Sequence, residues 1–375
     1  MRLTDNPACN PACRACHYKD LEYEEQLARK REWAERQLGR WSEVLREIVP
    51  APESERIGYR AKSWLRTNAT PDDVSFGMFR AVRGETRWEK EFISWNTCPI
   101  HTPAIQATLG RLRSALETYA PEFAANSLFG VWFGTPHVVL VAKDRRAVEL
   151  AKLPWPEILE APLTDVGFHQ TNQVGRSTFG EGPVVSLFSS ADPKGPKSPI
   201  RAFRQIARTL LDQARAGAVK ALVHESPDLI FDLYCGTGEL ARLIPEATGW
   251  IGIESSKEAV AYASELRTDG PVAHKAFLGL MEHRLGDMRV TNHLPDQYAL
   301  YLNPPRPGLG EATRPVLIDL IRHRRPTSVV YLSCSASSLA RDLEAITAEG
   351  FHVESLQPYD FFPQTEHFET LAVLR

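Results

Sequence analysis

The feature that most constrains this chain is a change of hydrophobic pattern near residue 200. From there to the C-terminus, short apolar runs alternate with helical stretches. A helix-patterned run, RAFRQIARTLLDQARAGAVKAL, leads into DLIFDLYC; GWIGIE, YALYLN, SVVYLSC and FHVESLQPY follow with room for a crossover between them. Parallel neighbours need such crossovers, so the pattern predicts an α/β domain with a mainly parallel, doubly wound sheet. The first half reads differently. Residues 20–48 have apolar positions three and four apart, which predicts a helix with its mixed charges on a solvated face. Segments 74–95 and 127–190 are strand-rich, and SSADPKGPKSP (189–199) has linker composition. The division read from this is 1–195, of α+β type, and 196–375, of α/β type.

Composition adds exclusions. With 43% hydrophobic and 24% charged residues the chain reads as globular. No apolar run reaches the roughly 18 to 20 residues of a membrane span. The opening MRLTDNPACNPACRAC lacks the hydrophobic stretch of a secretory signal, so a cytoplasmic protein without a membrane partner is expected. A formal net charge of −3 gives no global attraction to nucleic acid; any such contact needs a local basic surface. Of six cysteines, Cys9, Cys13 and Cys16 crowd the N-terminus and Cys98-Pro adds a fourth ligand. In a cytosolic chain these point to metal, and four thiolates suit an iron-sulfur cluster or a zinc ion.

Five segments carry chemistry in the second half. Phe231-Asp-Leu-Tyr-Cys-Gly-Thr-Gly238 ends a buried strand and opens a helix, and Gly236 and Gly238 let the backbone approach a ligand. The next strand ends at Glu254, 18 residues after Gly236, where a carboxylate can accept both ribose hydroxyls of an adenosyl group. Phosphate-binding lysine motifs are absent, which counts against a nucleoside triphosphate. Asn303-Pro-Pro-Arg-Pro-Gly308, Ser333-Cys334-Ser335 and Pro363-Gln-Thr-Glu-His-Phe-Glu369 end or follow strands of the same sheet, whose carboxyl ends converge on one crevice.

DLYCGTG, GIE, NPPRPGL, YLSCSASSLARDL and DFFPQTEHFE resemble, in order and spacing, the motifs of the RNA uridine-5-methyltransferase family. The resemblance is strong over 200–375 and reaches the first half through its cysteines. It implies a Rossmann-like domain that binds S-adenosyl-L-methionine, with Cys334 as covalent nucleophile and, by motif position, Glu369 as base. Carbon 5 of uracil is too weak a nucleophile to attack a methyl sulfonium unaided. A thiolate adding to carbon 6 makes it an enolate carbon, and a base must later remove its proton. The methyl-donor site implied is Tyr234, Gly236, Gly238, Glu254 and Asn303, with a glutamine from a Phe-x-Gln motif. Phe168-His-Gln170 matches that motif in letters; Phe203-Arg-Gln205, 29 residues before Tyr234, matches in spacing, and spacing favours Gln205.

Asn303 is similar to the family's 23S rRNA branch, which favours rRNA over tRNA as the RNA partner; a monomer is expected. The four cysteines resemble the family's 4Fe-4S site, so Cys9, Cys13, Cys16 and Cys98 are the implied ligands. One departure is Cys334-Ser-Ala, where the family often has asparagine after the cysteine; the loop contact of that asparagine is in doubt. Three other readings remain: a non-catalytic iron-sulfur RNA-binding protein on this fold, a radical-SAM enzyme using the Cys-x3-Cys-x2-Cys triplet, and an amino-methyltransferase suggested by Asn-Pro-Pro. Intact Cys334 and Glu369 argue against the first and the last. A fourth cysteine ligand argues against the second. Tyr59, Trp64, Phe76, Phe79 and Trp88, among Arg60, Lys62, Arg66, Arg80 and Arg83, are candidates for contacting single-stranded RNA.

Overall fold

A computed structural model describes residues 2–83, 88–143, 150–171, 183–190, 208–266 and 274–375. The chain forms two compact units, Met1–Asp20 with Ser54–Arg201, and Leu21–Glu53 with Ala202–Arg375. This differs from the contiguous division at 195/196, because residues 21–53 belong with the C-terminal part. The linker-like stretch falls mostly outside the described residues. The crossing segment contains α1 (Tyr23–Leu38), whose Ala34 and Leu38 lie in the core of the second unit. Nor is its charge all solvated: Lys30 is fully buried, as is the neutral Gln26. Lys30 donates to Asp360 Oδ1 and to the Phe362 carbonyl (3.0 Å), and Tyr23 donates to Asp360 Oδ2 (2.8 Å). Gln26 and Gln364 pair through side-chain amide and backbone at 2.9 and 2.8 Å.

The first unit is one seven-stranded sheet. Its strands are β1 (Lys62–Thr70), β2 (Asp73–Arg83), β3 (Trp88–Ser94), β4 (Leu128–Gly134), β5 (His137–Ala142), β6 (Asp165–Gln170) and β7 (Val185–Ser189), in the order β3-β2-β1-β4-β5-β6-β7. All neighbours are antiparallel except β5 and β6. Helices α2 (Pro103–Tyr119) and α3 (Pro121–Asn126) cover one face, where Leu65, Phe76, Val131 and Phe133 pack with Ile105, Leu109, Leu116 and Phe123. Thr102 caps α2 by accepting from Ile105 N, and Pro103 fits the first turn, where no N–H partner is lost.

The second unit contains β8 (Leu229–Leu233), β9 (Gly249–Glu254), β10 (His274–Leu278), β11 (Tyr298–Leu302), β12 (Ser328–Ser333), β13 (Val353–Tyr359) and β14 (Glu369–Leu374). Their order is β10-β9-β8-β11-β12-β14-β13. The first five are parallel, as the alternating pattern predicts, and β14 runs antiparallel to both β12 and β13. Helices α4 (Arg208–Leu222), α5 (Lys257–Ser264), α6 (Gly310–His323) and α7 (Ala336–Thr347) intervene. Both faces of the central strands are buried: Phe231, Leu300 and Tyr331 pack with Leu317 and Leu339, while Ile230, Tyr301 and Val330 pack with Leu210 and Ala214. Such strands read as continuous apolar runs. From β8 the order runs to β9 and β10 on one side and to β11 and β12 on the other, which opens a crevice at the carboxyl ends. Among the described residues no helix is long and apolar enough to cross a membrane.

Candidate active site

The glycine loop sits at that reversal. Tyr234, Gly236 and Gly238 have φ of +61°, +55° and +71°. At Gly236 the space where a Cβ would stand is open, whereas at Gly238 a Cβ would lie 2.9 Å from Leu266 Cδ1. The loop thus needs glycine at both positions for its left-handed backbone, and at the second also for packing. The Tyr234 side chain packs against the core on one face and bonds to Thr313, and burial pushes its phenol up. Glu254, ending β9, accepts from Gly236 N at 3.2 Å, Ser255 N at 2.7 Å and Ser256 N at 2.8 Å, so its carboxylate ties the end of β9 to the glycine loop. Asn303 N donates to Leu233 O at 3.3 Å, setting the loop after β11 beside the end of β8. Gln205 lies outside the described residues. Gln170 ends β6 in the first unit, opposite Ala142.

Cys334 and Glu369 meet through sheet register. Antiparallel pairing sets Ser333 against Thr370, so the adjoining residues Cys334 and Glu369 come near each other, and the Glu369 charge reaches the Cys334 thiol. Glu369 is 2% exposed and also faces Tyr359 of β13. Burial, reinforced by the Glu369 charge, pushes the half-buried Cys334 thiol up to about 11, while the charge and a hydrogen bond of Arg306 act against this. Arg306 belongs to the Asn303 loop, so that loop reaches Cys334 as well as the glycine turn.

A second set of contacts fixes this loop. Fully buried Asp342 on α7 accepts from Leu309 N (2.9 Å) and the Tyr331 hydroxyl (2.8 Å) through Oδ2, and from Arg314 Nε (2.9 Å) through Oδ1. Gly308 has φ +77°, and a Cβ there would come 2.3 Å from Asp342 Oδ2. Ser338 Oγ donates to Arg306 O at 2.8 Å. Ser335, which stands where the family often has asparagine, caps α7 by accepting from Ser338 N at 3.3 Å. Arg306 and Asp342 were not singled out from the sequence, although both lie inside family motifs. A charged residue on an amphipathic helix or in a proline-rich loop reads as surface until its partner is known.

In the first unit Cys16 lies within electrostatic reach of Cys9, Cys13 and Cys98, and Cys13 within reach of Cys9 and Cys98. Burial pushes the Cys16 thiol up to about 12, with the other cysteines adding and Arg60 opposing. Sulfur atoms accept hydrogen bonds: Cys13 from Trp95 Nε1 at 3.2 Å, and Cys98 from the backbone at Ile100 and His101. Lys19 Nζ grips the carbonyls of Pro11 (2.6 Å) and Cys13 (2.7 Å), and Arg80 grips that of Ala12 (2.5 Å). Arg80 also pairs with Glu91, and Tyr59 and Phe76 are core residues, so these three leave the set of candidate RNA contacts. No side-chain placement is described for Trp88.

Residues 200–375 match the family model for tRNA (uracil-5-)-methyltransferase. The chain is 26% identical over 388 residues to the 23S rRNA (uracil(1939)-C(5))-methyltransferase RlmD of Marinomonas sp. (strain MWYL1), covering 98% of this chain and 80% of that one. It is 32% identical over 180 residues to the 23S rRNA (uracil(747)-C(5))-methyltransferase RlmC of Shewanella baltica, covering 48% and 43%. Among solved structures, the Pyrococcus abyssi tRNA (uracil-54, C5)-methyltransferase with S-adenosyl-L-homocysteine superposes with a TM-score of 0.70 at 18% identity, over 99% of this chain and 86% of that one. That likeness concerns the fold alone. Over residues 200–375 the chain is thus similar to the RNA uracil-5-methyltransferases, and the relatives it resembles include 23S rRNA enzymes.

Proposed function

We propose that this chain methylates carbon 5 of a uridine in RNA, with Cys334 as nucleophile and Glu369 as base. What supports this reading is the nearness of the two residues: the register of β12 and β14 pairs their neighbours Ser333 and Thr370, and the Glu369 charge acts on the Cys334 thiol. The Cys334 sulfur bonds to carbon 6 of uracil, and the electrons of the 5,6 double bond move onto the ring carbonyl as an enolate. S-adenosylmethionine supplies an electrophilic methyl carbon for carbon 5. Glu369 then takes the proton from carbon 5, the double bond re-forms, and the Cys334 thiolate leaves. With its thiol at about 11, Cys334 is protonated in the free protein at neutral pH. Arg306, or any positive charge entering the crevice, favours the thiolate. Tyr234, Gly236, Gly238, Glu254 and Asn303 form the methyl-donor site, completed by Gln205. The named 23S rRNA relatives favour rRNA over tRNA.

In the same reading Cys9, Cys13, Cys16 and Cys98 hold a 4Fe-4S cluster. Among the described residues no three of these sulfurs lie within 4.8 Å of one another. A single tetrahedral zinc with ~2.3 Å bonds would draw its sulfurs to about 3.8 Å, whereas a four-iron core holds them further apart. Arg60 Nε is buried with no hydrogen-bond partner, and its charge acts on Cys16 and Cys98. A cation so placed offsets the negative charge of a thiolate-ligated cluster. The cluster staples the cysteine loop into the first unit.

Incubating RNA with isotopically labelled S-adenosylmethionine and analysing its nucleosides by mass spectrometry tests the activity. Labelled 5-methyluridine is expected with wild type and none with Cys334→Ala. Label on adenine or cytosine instead would overturn the reading.

A further inference from the structure

The sheet of the first unit sorts its charge between faces. In antiparallel strands directly opposed residues share a face and alternate along each strand. The register pairs Arg66 with Gly77, Phe79 with Phe92, and Ala81 with Lys90. Arg66, Phe79, Phe92 and Lys90 therefore lie on one face, and Arg83 joins them two residues beyond Ala81. The opposite face takes Phe76 into the core and carries the pairs Arg80–Glu91 and Val82–Glu89. Both carboxylates of β3 thus fall on the core side, and among the described residues the outward side of β2 and β3 between Ser75 and Ser94 has none. The remaining acidic residue of β2, Asp73, is held at its far end by Arg113.

The outward face is also aromatic and accessible. Phe79 is 38% exposed and meets Phe92 edge to face at 5.1 Å, while Arg83 and Lys90 are exposed. Towards β4, Trp64 lies opposite Trp132, and the Arg66 guanidinium stands 3.5 Å from the Phe129 ring centroid. The ring holds the guanidinium plane, with Nε buried and the half-buried side chain reaching this face.

We infer that this face, centred on Phe79, Phe92, Arg66, Arg83 and Lys90, is a docking platform for a single-stranded segment of the RNA. Bases stack on the exposed aromatic pair and phosphates meet the three cations. A polyanion with free ring faces complements a surface of cations and aromatics without carboxylates. A duplex keeps its bases stacked internally and uses only the charge. The inference rests on RNA being the substrate but adds which surface of the first unit grips it.

The test is fluorescence anisotropy of a labelled single-stranded oligoribonucleotide and its duplex, titrated with the full chain at several salt concentrations. Phe79→Ala should weaken single-strand binding about tenfold, as expected when one stacking partner is removed. Arg83→Glu with Lys90→Glu should weaken it further and flatten the salt dependence by roughly 0.7 for each phosphate no longer neutralised. Glu89→Gln, on the opposite face, should bind as wild type. Binding of S-adenosylhomocysteine by calorimetry should stay unchanged in all of them, which separates a damaged platform from a damaged fold. Wild-type affinity in both Phe79→Ala and the double variant, or equal losses for single strand and duplex in Phe79→Ala, would overturn the inference. Wild-type RNA binding without methylation would sink the proposed activity and leave the platform standing.

Discussion

Replacing Lys30 by methionine tests the buried link between α1 and the segment leading to Glu369. Lys30 and Asp360 both have fully buried side chains, and burial pulls the Lys30 ammonium down despite Asp360 beside it. Methionine fills much of the same volume but removes the cation from Asp360 Oδ1 and a hydrogen bond from the Phe362 carbonyl. Only the Tyr23 hydroxyl then remains on Asp360. Removing one partner of a buried ion pair costs about 3–5 kcal/mol, because the other charge stays desolvated. In a unit of about 200 residues each kcal/mol lowers Tm by roughly 2–4 °C. Calorimetry should therefore show a fall of about 6–20 °C. Adding Asp360→Asn removes the stranded charge and should restore a good part of the loss, a coupling that a cavity alone would not produce. A fall under about 2 °C for Lys30→Met, or a double variant less stable than the single one, would refute the reasoning.

Anaerobically purified protein should be brown and hold about four irons per chain, and Cys16→Ser should lose them; stoichiometric zinc without iron would contradict the cluster assignment. Buried Asp232 is raised to about 7, first by burial and then by Glu254, with Trp250 and Arg215 opposing. A carboxyl raised this way holds its proton more tightly in the folded state. Its contribution to stability is full below about pH 4 and is lost as pH rises through 7, at a slope of up to about 1.4 kcal/mol per unit. Chemical denaturation of Asp232→Asn should accordingly lose less stability than wild type between pH 5 and pH 8. Arg306→Gln removes the cation that opposes the rise of the Cys334 thiol, so the thiolate becomes rarer still. Its single-turnover rate should fall about tenfold for each unit of rise, with the pH profile displaced upward; an unshifted profile would count against this contact.

The second half was legible because its signals are local. Strands buried on both faces read as apolar runs, and the loop of Gly236 and Gly238 follows one of them directly. Sheet register could not be read, so the placement of Cys334 near Glu369 came from motif position rather than from geometry. Lys30 was misread as part of a solvated face because its partner, Asp360, lies more than 300 residues away. The same separation hid the membership of residues 21–53 in the second unit. Asp342 was not singled out, because its burial depends on the Gly308 turn folding over it. Helix α2 was missed between two strand-rich segments, although Thr102-Pro103 gives a cap and a first-turn proline. The charge-sorted face of β1 to β3 depends on which residues oppose each other, which a list of aromatic and basic residues does not reveal.

The most direct test of the chemistry uses RNA containing 5-fluorouridine. If Cys334 adds to carbon 6 before methyl transfer, the fluorinated ring is methylated and then trapped, because fluorine cannot leave as a cation and Glu369 has no proton to remove. Wild type should give a denaturation-resistant RNA–protein adduct that requires S-adenosylmethionine and maps to Cys334 by peptide mass spectrometry. Glu369→Gln should give a similar adduct with ordinary uridine RNA, and Cys334→Ala should give none with either. Methylation by Cys334→Ala at near wild-type rate would contradict the mechanism.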